Sequence, residues 1–316
     1  MSVFVVRGAV FQEKAMVYTV TFNPAIDYVM HFGRLIKGKV NRSSSEEIFY
    51  GGKGINVSAV LAELGVKSVT LGFVAGFTGE AIENGVKAMG IETDFVHLEN
   101  GCSRINVKLK SDDVTELNGQ GPEIDSAALN KLFSKLEKLE SGDVLVLAGS
   151  IPRCMPSDVY EHILARLSGR NIRFVVDAEK SLLLNVLKYK PFLVKPNIDE
   201  LGAMFGVELH NDDEITEYAE KLRDMGAQNV LVSMAGNGAL LIDETGKCHK
   251  LGVCRGSVRS AVGAGDSMVA GFIAGSMNGD FEYALKLGTA CGGATAFSDG
   301  LAKKEYISKL LWQLEE

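Results

Sequence analysis

This chain of 316 residues has no CxxC pair and no HExxH, so none of its five cysteines or five histidines sits at a zinc-site spacing. Cys248, His249 and Cys254 lie close together, but ordinary strand positions explain them better than a metal site. An odd cysteine number without a secretory leader points to reduced thiols and a cytoplasmic setting. No apolar run approaches the roughly 20 residues that span a bilayer, which removes the membrane from the partner set. Basic residues are not in excess: 33 Lys and Arg stand against 40 Asp and Glu, a formal charge of −7, so a nucleic-acid partner is not expected. Repeats and low-complexity linkers are also missing. Val3 to Val6 is too short for a signal-peptide core, and Arg7, Glu13 and Lys14 follow it closely. Residues 1–15 therefore read as a leader or extension, with a single functional domain over 16–316.

What is present reads as α/β. Hydrophobic residues at 46% and charged residues at 23% suit a soluble globular chain with a large core. Val17 to Phe22, Val144 to Leu147, Ile172 to Val176, Phe192 to Val194 and Val230 to Val232 are continuous apolar runs, the pattern of parallel strands covered on both faces. Helical patterns separate the later runs, near Pro156 to Leu167, Ser181 to Tyr189 and Glu214 to Met225. A hairpin is expected over Ala239 to Ile242 and Cys248 to Val253, followed by helices over Gly265 to Gly275, Phe281 to Ala296 and Lys303 to Leu314. Four alternating strands interrupt this rhythm early: Tyr28 to Phe32, Val40 to Phe49, Ile105 to Lys110 and Val114 to Leu117. They predict a small sheet projecting from the main domain, with its strands within about 27–49 and 104–118.

Ligands in open α/β sheets gather beyond the carboxyl ends of the strands. Asp27, Gly149-Ser150, Lys195-Pro196-Asn197 with Glu200, and Ser233 all follow predicted strands, and Gly263 to Asp266 opens a late helix. Five such clusters at corresponding places point to one cleft. In Val262-Gly263-Ala264-Gly265-Asp266-Ser267, small residues let backbone amides approach an anion at a helix N-terminus. A carboxylate in that place is electrostatically awkward unless it acts as a base, although Asp is also a favoured N-cap residue. On the motif alone both readings stand. Gly51-Gly52-Lys53-Gly54-Ile55-Asn56 is the second strong motif. It lacks the Ser/Thr and upstream glycine of a Walker A loop and the context of a dinucleotide site. A tight turn would explain its glycines but not Lys53 and Asn56, which fit a close approach to a hydroxylated ligand.

These two motifs make the chain resemble the PfkB-type, ribokinase-like sugar kinases from about Met16 onward. Thr21 to Asp27, Gly38 to Arg42, Ser103 to Asn106 and Glu116 to Pro122 narrow the likeness to kinases that act on a ketose phosphate. The resemblance implies a three-layer α/β/α domain with a mostly parallel sheet and a small β-sheet lid. It implies phosphorylation of fructose 1-phosphate to fructose 1,6-bisphosphate with ATP and Mg²⁺. Tagatose 6-phosphate and fructose 6-phosphate are alternative substrates, and a non-catalytic sugar-phosphate sensor is a further alternative.

By the same resemblance Asp266 is the base, and the amides of Gly263, Ala264 and Gly265 form the anion hole. Asp27 and Asn56 bind sugar hydroxyls, and Gly51, Gly52, Lys53 and Ser150 line the pocket. Arg104 grips the existing phosphate, with Lys39 assisting from a neighbouring subunit of a homodimer formed through the lid. Solvated strand-edge charges are the plainer reading of Arg104 and Lys39. Lys195, Asn197, Ser233, Gly236 and Gly238 fall on the ATP side. Asn197 and Glu200 organise magnesium through water, where a first-turn helix carboxylate is the plainer reading of Glu200. Two places depart from the family pattern: Ala235 stands where glycine is common, and Arg153-Cys154 replaces a frequent Pro-Gly.

Overall fold

The computed structural model describes residues 15–314. The chain runs β1 (Val17–Thr21), β2 (Ala25–His31), β3 (Ser45–Gly51), α1 (Lys53–Glu63), β4 (Ser68–Ala75), α2 (Gly76–Ala88), β5 (Glu92–Thr93), β6 (Val96–Leu98), β7 (Arg104–Lys110), β8 (Val114–Asn118) and α3 (Ser126–Leu136). It continues through β9 (Val144–Ala148), α4 (Val159–Leu167), β10 (Arg173–Asp177), α5 (Lys180–Val186), β11 (Leu193–Val194), α6 (Ile198–Phe205), α7 (Asp212–Asp224), β12 (Asn229–Ser233), β13 (Ala239–Ile242), β14 (Cys248–Leu251), α8 (Ala264–Ser276), α9 (Phe281–Ala296) and α10 (Lys304–Gln313).

The main sheet has the order β14-β13-β12-β11-β10-β9-β1-β4-β5, with β6 also on β4. It is parallel except for the β13–β14 hairpin. Period-two alternation divides its apolar strands between two helical layers. Val144 and Val146 of β9 face the core under α1, α8, α9 and α10. Leu145 and Leu147 face the opposite core with α3 and α4. Sandwiching explains why these strands read as unbroken apolar runs. The α/β/α layering is the one expected. No described helix is long and apolar enough to cross a membrane.

The expected small sheet is present as β3-β2-β7-β8. Its second sequence-predicted strand begins later than Val40, at Ser45, and runs on to Gly51. The reason is local. The Asn41 amide accepts from the N–H of Ile36 and donates to the carbonyls of Ile36 and Lys39, closing a loop where a strand was expected. Extension to Gly51 places the first glycine of the Gly-Gly-Lys-Gly motif inside the lid, paired with Ala25.

Helix α8 is buried from Asp266 to Ser276, unlike an amphipathic surface helix. Glycine allows it to lie close against α9: a Cβ on Gly271 would stand 2.6 Å from the Leu287 carbonyl oxygen, and one on Gly275 would stand 2.6 Å from the Ala284 Cα. This contact fixes the height of the helix's N-terminus at the carboxyl edge of the sheet.

Residues 1–14 lie outside the described residues, so the expected leader is not placed by the structure. We propose Met16 as the start of the folded domain, because its backbone N–H donates to Asp143 Oδ1 at 2.9 Å. A chain beginning at Met16 would carry an ammonium at that spot, which strengthens the contact. Deletion of residues 1–15 is therefore expected to leave the melting temperature unchanged or slightly higher by differential scanning calorimetry. A large loss of folded yield would move the boundary upstream.

Candidate active site

The glycines of the first motif allow contacts that a side chain would prevent. A Cβ on Gly52, whose φ is +133°, would meet Thr21 Cγ2 at 2.4 Å, and one on Gly54 would meet Thr21 Oγ1 at 2.6 Å. Helix α1 thus starts directly on the end of β1, and its Ile55 N–H donates to Thr21 Oγ1 at 3.1 Å. A Cβ on Gly51 would lie 2.8 Å from Asp27 Oδ2, so the lid carboxylate also needs glycine there. Asp27 accepts from Asn106 Nδ2 at 2.9 Å across the parallel β2–β7 pair. Arg104, two residues earlier on β7, donates through Nε to the Asn23 carbonyl at 3.0 Å. Burial lowers the pKa of its guanidinium, and Asp27 opposes that effect. Asp27, Arg104 and Asn106 share one face of the lid.

Below the lid, four charges meet: Asp177, Lys195 and Asp266 are buried, while Lys53 reaches them from a partly open position. Asp177, at the end of β10 and 3% exposed, binds Lys53 Nζ through Oδ2 and Lys195 Nζ through Oδ1, both at 3.3 Å. Burial opposes ionisation of Asp177, but the two lysines, with Lys195 the stronger influence, hold its pKa below the ordinary carboxylate value. Lys53 is pulled upward by Asp177 and Asp266 against desolvation. Lys195 Nζ lies 3.2 Å from where a Cβ on Gly265 would be, which puts an ammonium beside the start of α8. Asp266, 6% exposed, is pushed up to about 6 by burial and then by the negative charge of Asp177. The hydrogen bond from Asn56 and the fields of Lys53 and Lys195 hold it back from rising further.

The structure thus brings Lys53, Asn56, Lys195, Gly265 and Asp266 together. Asn56 is expected on a sugar hydroxyl, yet its Nδ2 donates to Asp266 Oδ2 at 2.8 Å, so in this state it orients the carboxylate. Gly263 caps α8 with φ +79°. Of the three expected anion-hole amides, that of Ala264 points to the Ala261 carbonyl at 3.3 Å, because the chain makes a tight turn before the helix. The amides of Gly263 and Gly265 have no hydrogen-bond partner among the described residues.

Asn197 and Glu200 form a reciprocal capping box at α6: Glu200 N–H to Asn197 Oδ1 and Asn197 N–H to Glu200 Oε2, each 2.8 Å. Asn197 also bridges to Ser233, placing the ends of β11 and β12 side by side. Gly238, with φ +95°, sits where a Cβ would stand 2.0 Å from the Leu251 carbonyl oxygen, while Gly236 borders open space. Ala235 takes a left-handed φ of +46°, a backbone state that glycine adopts without steric cost. Ser150 is exposed beside Gly149, whose carbonyl is held by the Tyr160 hydroxyl at 2.9 Å. Lys39 lies exposed in the lid loop, and no side-chain hydrogen bond or ion pair joins it to the cleft among the described residues. Sequence reasoning missed Asp177 altogether, although it ends an apolar strand just as Ser150, Asn197 and Ser233 follow theirs.

Comparison with known proteins agrees with this geometry. The profile of the pfkB family carbohydrate kinases matches residues 13–305. A 1-phosphofructokinase of Bacillus subtilis (strain 168) is 46% identical over 94% of this chain and 97% of its own. A D-tagatose-1-phosphate kinase of Bacillus licheniformis is 35% identical, covering 95% and 99% respectively. The crystal structure of phosphofructokinase-2 from Escherichia coli in complex with substrates and products superposes with a TM-score of 0.89 at 26% identity, covering 96% of this chain and 100% of that one. A match this long, to both sequence and fold, establishes that the chain belongs to the pfkB family of carbohydrate kinases.

Proposed function

We propose that the protein is a 1-phosphofructokinase, transferring the γ-phosphoryl group of ATP to the free primary hydroxyl of fructose 1-phosphate and yielding fructose 1,6-bisphosphate and ADP. The observation that carries this reading is Asp266: a buried carboxylate beside unpartnered helix-N-terminal amides, oriented by Asn56 and raised to about 6. Such a group is ionised at neutral pH yet basic enough to receive a proton. The sugar hydroxyl gives its proton to Asp266, its oxygen forms the new P–O bond, and the bond to the ADP oxygen breaks. Charge on the transferring group falls near the amides of Gly263 and Gly265 and the ammonium of Lys195, where fixed dipoles and cations act without reorganising. On the sugar side, Asp27 and Lys53 face the pocket and Arg104 is suited to the phosphate already present. The relative of 46% identity bearing the name 1-phosphofructokinase supports this substrate.

Magnesium fits the residues present only in a lightly held form. No group of three His, Cys, Asp or Glu that could hold an ion occurs among the described residues. One oxygen of Glu200 and that of Asn197 are engaged in the helix cap. Magnesium keeps several waters and relies on substrate phosphates, so Asn197 and Glu200 would hold it through water. When bound, it supplies charge neutralisation on the nucleotide phosphates.

A second reading, phosphorylation of tagatose 1-phosphate, draws on the 35% identical kinase of that name. A non-catalytic sensor is disfavoured by energetics. Raising Asp266 from its ordinary 3.8 to about 6 costs on the order of 3 kcal/mol at neutral pH, an expense that mere binding does not require.

The lid also carries the proposed homodimer contact. Ile48, Tyr28, Val107 and Leu117 are register partners across all four strands and form one apolar row. Its ends are 53% and 55% exposed at Ile48 and Leu117, which a second lid would cover.

Turnover with fructose 1-phosphate, tagatose 1-phosphate, fructose 6-phosphate and tagatose 6-phosphate, compared by kcat/KM, is expected to favour the first. Preference for another ketose phosphate would keep the chemistry and replace the substrate. Replacement of Asp266 by Asn is expected to lower kcat by about four orders of magnitude while leaving sugar-phosphate binding measurable. The same variant should melt higher at pH 7.5. The raised carboxylate contributes stability below its unfolded value of 3.8 and loses it as pH rises through about 6, so removing the charge helps only at neutral pH and above. Equal melting temperatures at pH 7.5 would contradict the buried, raised carboxylate. Leu117→Lys is expected to convert a dimer into a monomer by light scattering; a monomeric parent protein at micromolar concentration would refute the lid contact.

A further inference from the structure

Asp177 is the one member of the charge cluster that the proposed chemistry leaves without a task. Its carboxylate touches no sequence-local partner. Each oxygen is taken by a different lysine, one from the start of α1 and one from the end of β11. The two lysines serve different neighbours: Lys53 belongs to the Gly-Gly-Lys-Gly motif, and Lys195 Nζ stands beside Gly265 at the start of α8. The Asp177 backbone participates as well, since its carbonyl accepts the Gly149 N–H at 3.1 Å, and Gly149 lies over the Lys53 side chain. Strand β10 lies between β9 and β11, so its carboxyl end is central to the cleft floor.

We propose that Asp177 is a positioning residue for phosphoryl transfer, clamping Lys53 and Lys195 at fixed places on either side of the reacting groups and setting the field felt by Asp266. The proposal rests on the reading of Asp266 as the base. The physical case has two parts. Asp177 is buried to 3% exposure with one ammonium 3.3 Å from each of its oxygens, so a single carboxylate ties together two lysines that come from separate elements. A lysine is also a flexible point charge, whereas a carboxylate with one ammonium on each oxygen leaves neither free to wander. With Asp266 opposite, the cluster holds two positive and two negative charges. Removing one negative charge releases both lysines to act on Asp266.

This gives a readout that a merely structural role would not move. A sugar phosphate itself titrates near pH 6, so the measurement is kcat at saturating substrates, compared between variants sharing that substrate. The parent enzyme should lose kcat below about pH 6, where Asp266 is protonated. In Asp177→Asn the acidic limb should move lower by about half a pH unit or more, since a like charge has gone and two cations remain. KM for both fructose 1-phosphate and MgATP should rise about tenfold, because one lysine faces each substrate. Asp177→Glu keeps the charge, so its limb should stay at the parent position while kcat falls from the displaced lysines.

An unmoved limb in Asp177→Asn with both KM values unchanged would overturn the proposal. A parent enzyme with no limb near pH 6 would defeat the Asp266 reading instead, leaving the paired KM rise to decide the clamp. Should Asp177→Asn fail to fold, Lys195→Met decides. It removes a cation and leaves Asp177 less neutralised, so its limb should move higher; an unmoved or lowered limb would overturn the proposal.

Discussion

A carboxylate kept out of water at the N-terminus of a buried helix is the constraint on which the rest of this site depends. Asp266 would be far easier to accommodate as an exposed cap, where a first-turn acid is mildly favourable. Here it is 6% exposed and shares its pocket with the negative charge of Asp177. Lys53, Lys195 and Asn56 offset that cost incompletely, leaving a carboxylate titrating near 6. For the proposed base role, incomplete compensation is the useful condition: full neutralisation would give an ordinary weak base, and none would leave the group protonated.

Placement of that carboxylate is a packing problem before it is an electrostatic one. Gly271 and Gly275 bring α8 against α9 so closely that added Cβ atoms would strike backbone. Ser267 extends the same join, with its hydroxyl 2.7 Å from Thr295 Oγ1 on α9. At the other side of the cleft, Gly52 and Gly54 let α1 begin directly on β1, which delivers Lys53 and Asn56 toward α8. Small residues at both helix starts and along one helix contact therefore determine where the charges meet.

The lid answers a different need. Asp27, Arg104 and Asn106 come from β2 and β7, which pair in parallel despite lying far apart in sequence, and so present a polar face over the cleft. Asn106 donates to Asp27 while its Oδ1 is buried without a partner among the described residues, which marks this face as arranged around groups besides its own. The opposite face carries the apolar row from Ile48 to Leu117.

Much of this was legible in the chain. Unbroken apolar runs such as Val144 to Leu147 determined a sheet covered on both faces, because no half-exposed strand reads that way. The two glycine motifs announced close backbone approaches, and the acid after Gly265 announced either a cap or a base. Local pattern could not carry the rest. Strand β3 starts at Ser45 and not at Val40 because an Asn41 side chain closes the preceding loop. Asp177 stood at the end of an apolar run with no glycine or motif to mark it, and its importance arises only when Lys53 and Lys195 converge on it. Asn56 and Asp266 are 210 positions apart, so no spacing rule connects them. Sequence by itself determined the layers, the turns and the kinds of chemistry available. Tertiary structure alone decided which charges meet, because burial and distance, not residue type, set the strength of every charge in the cluster.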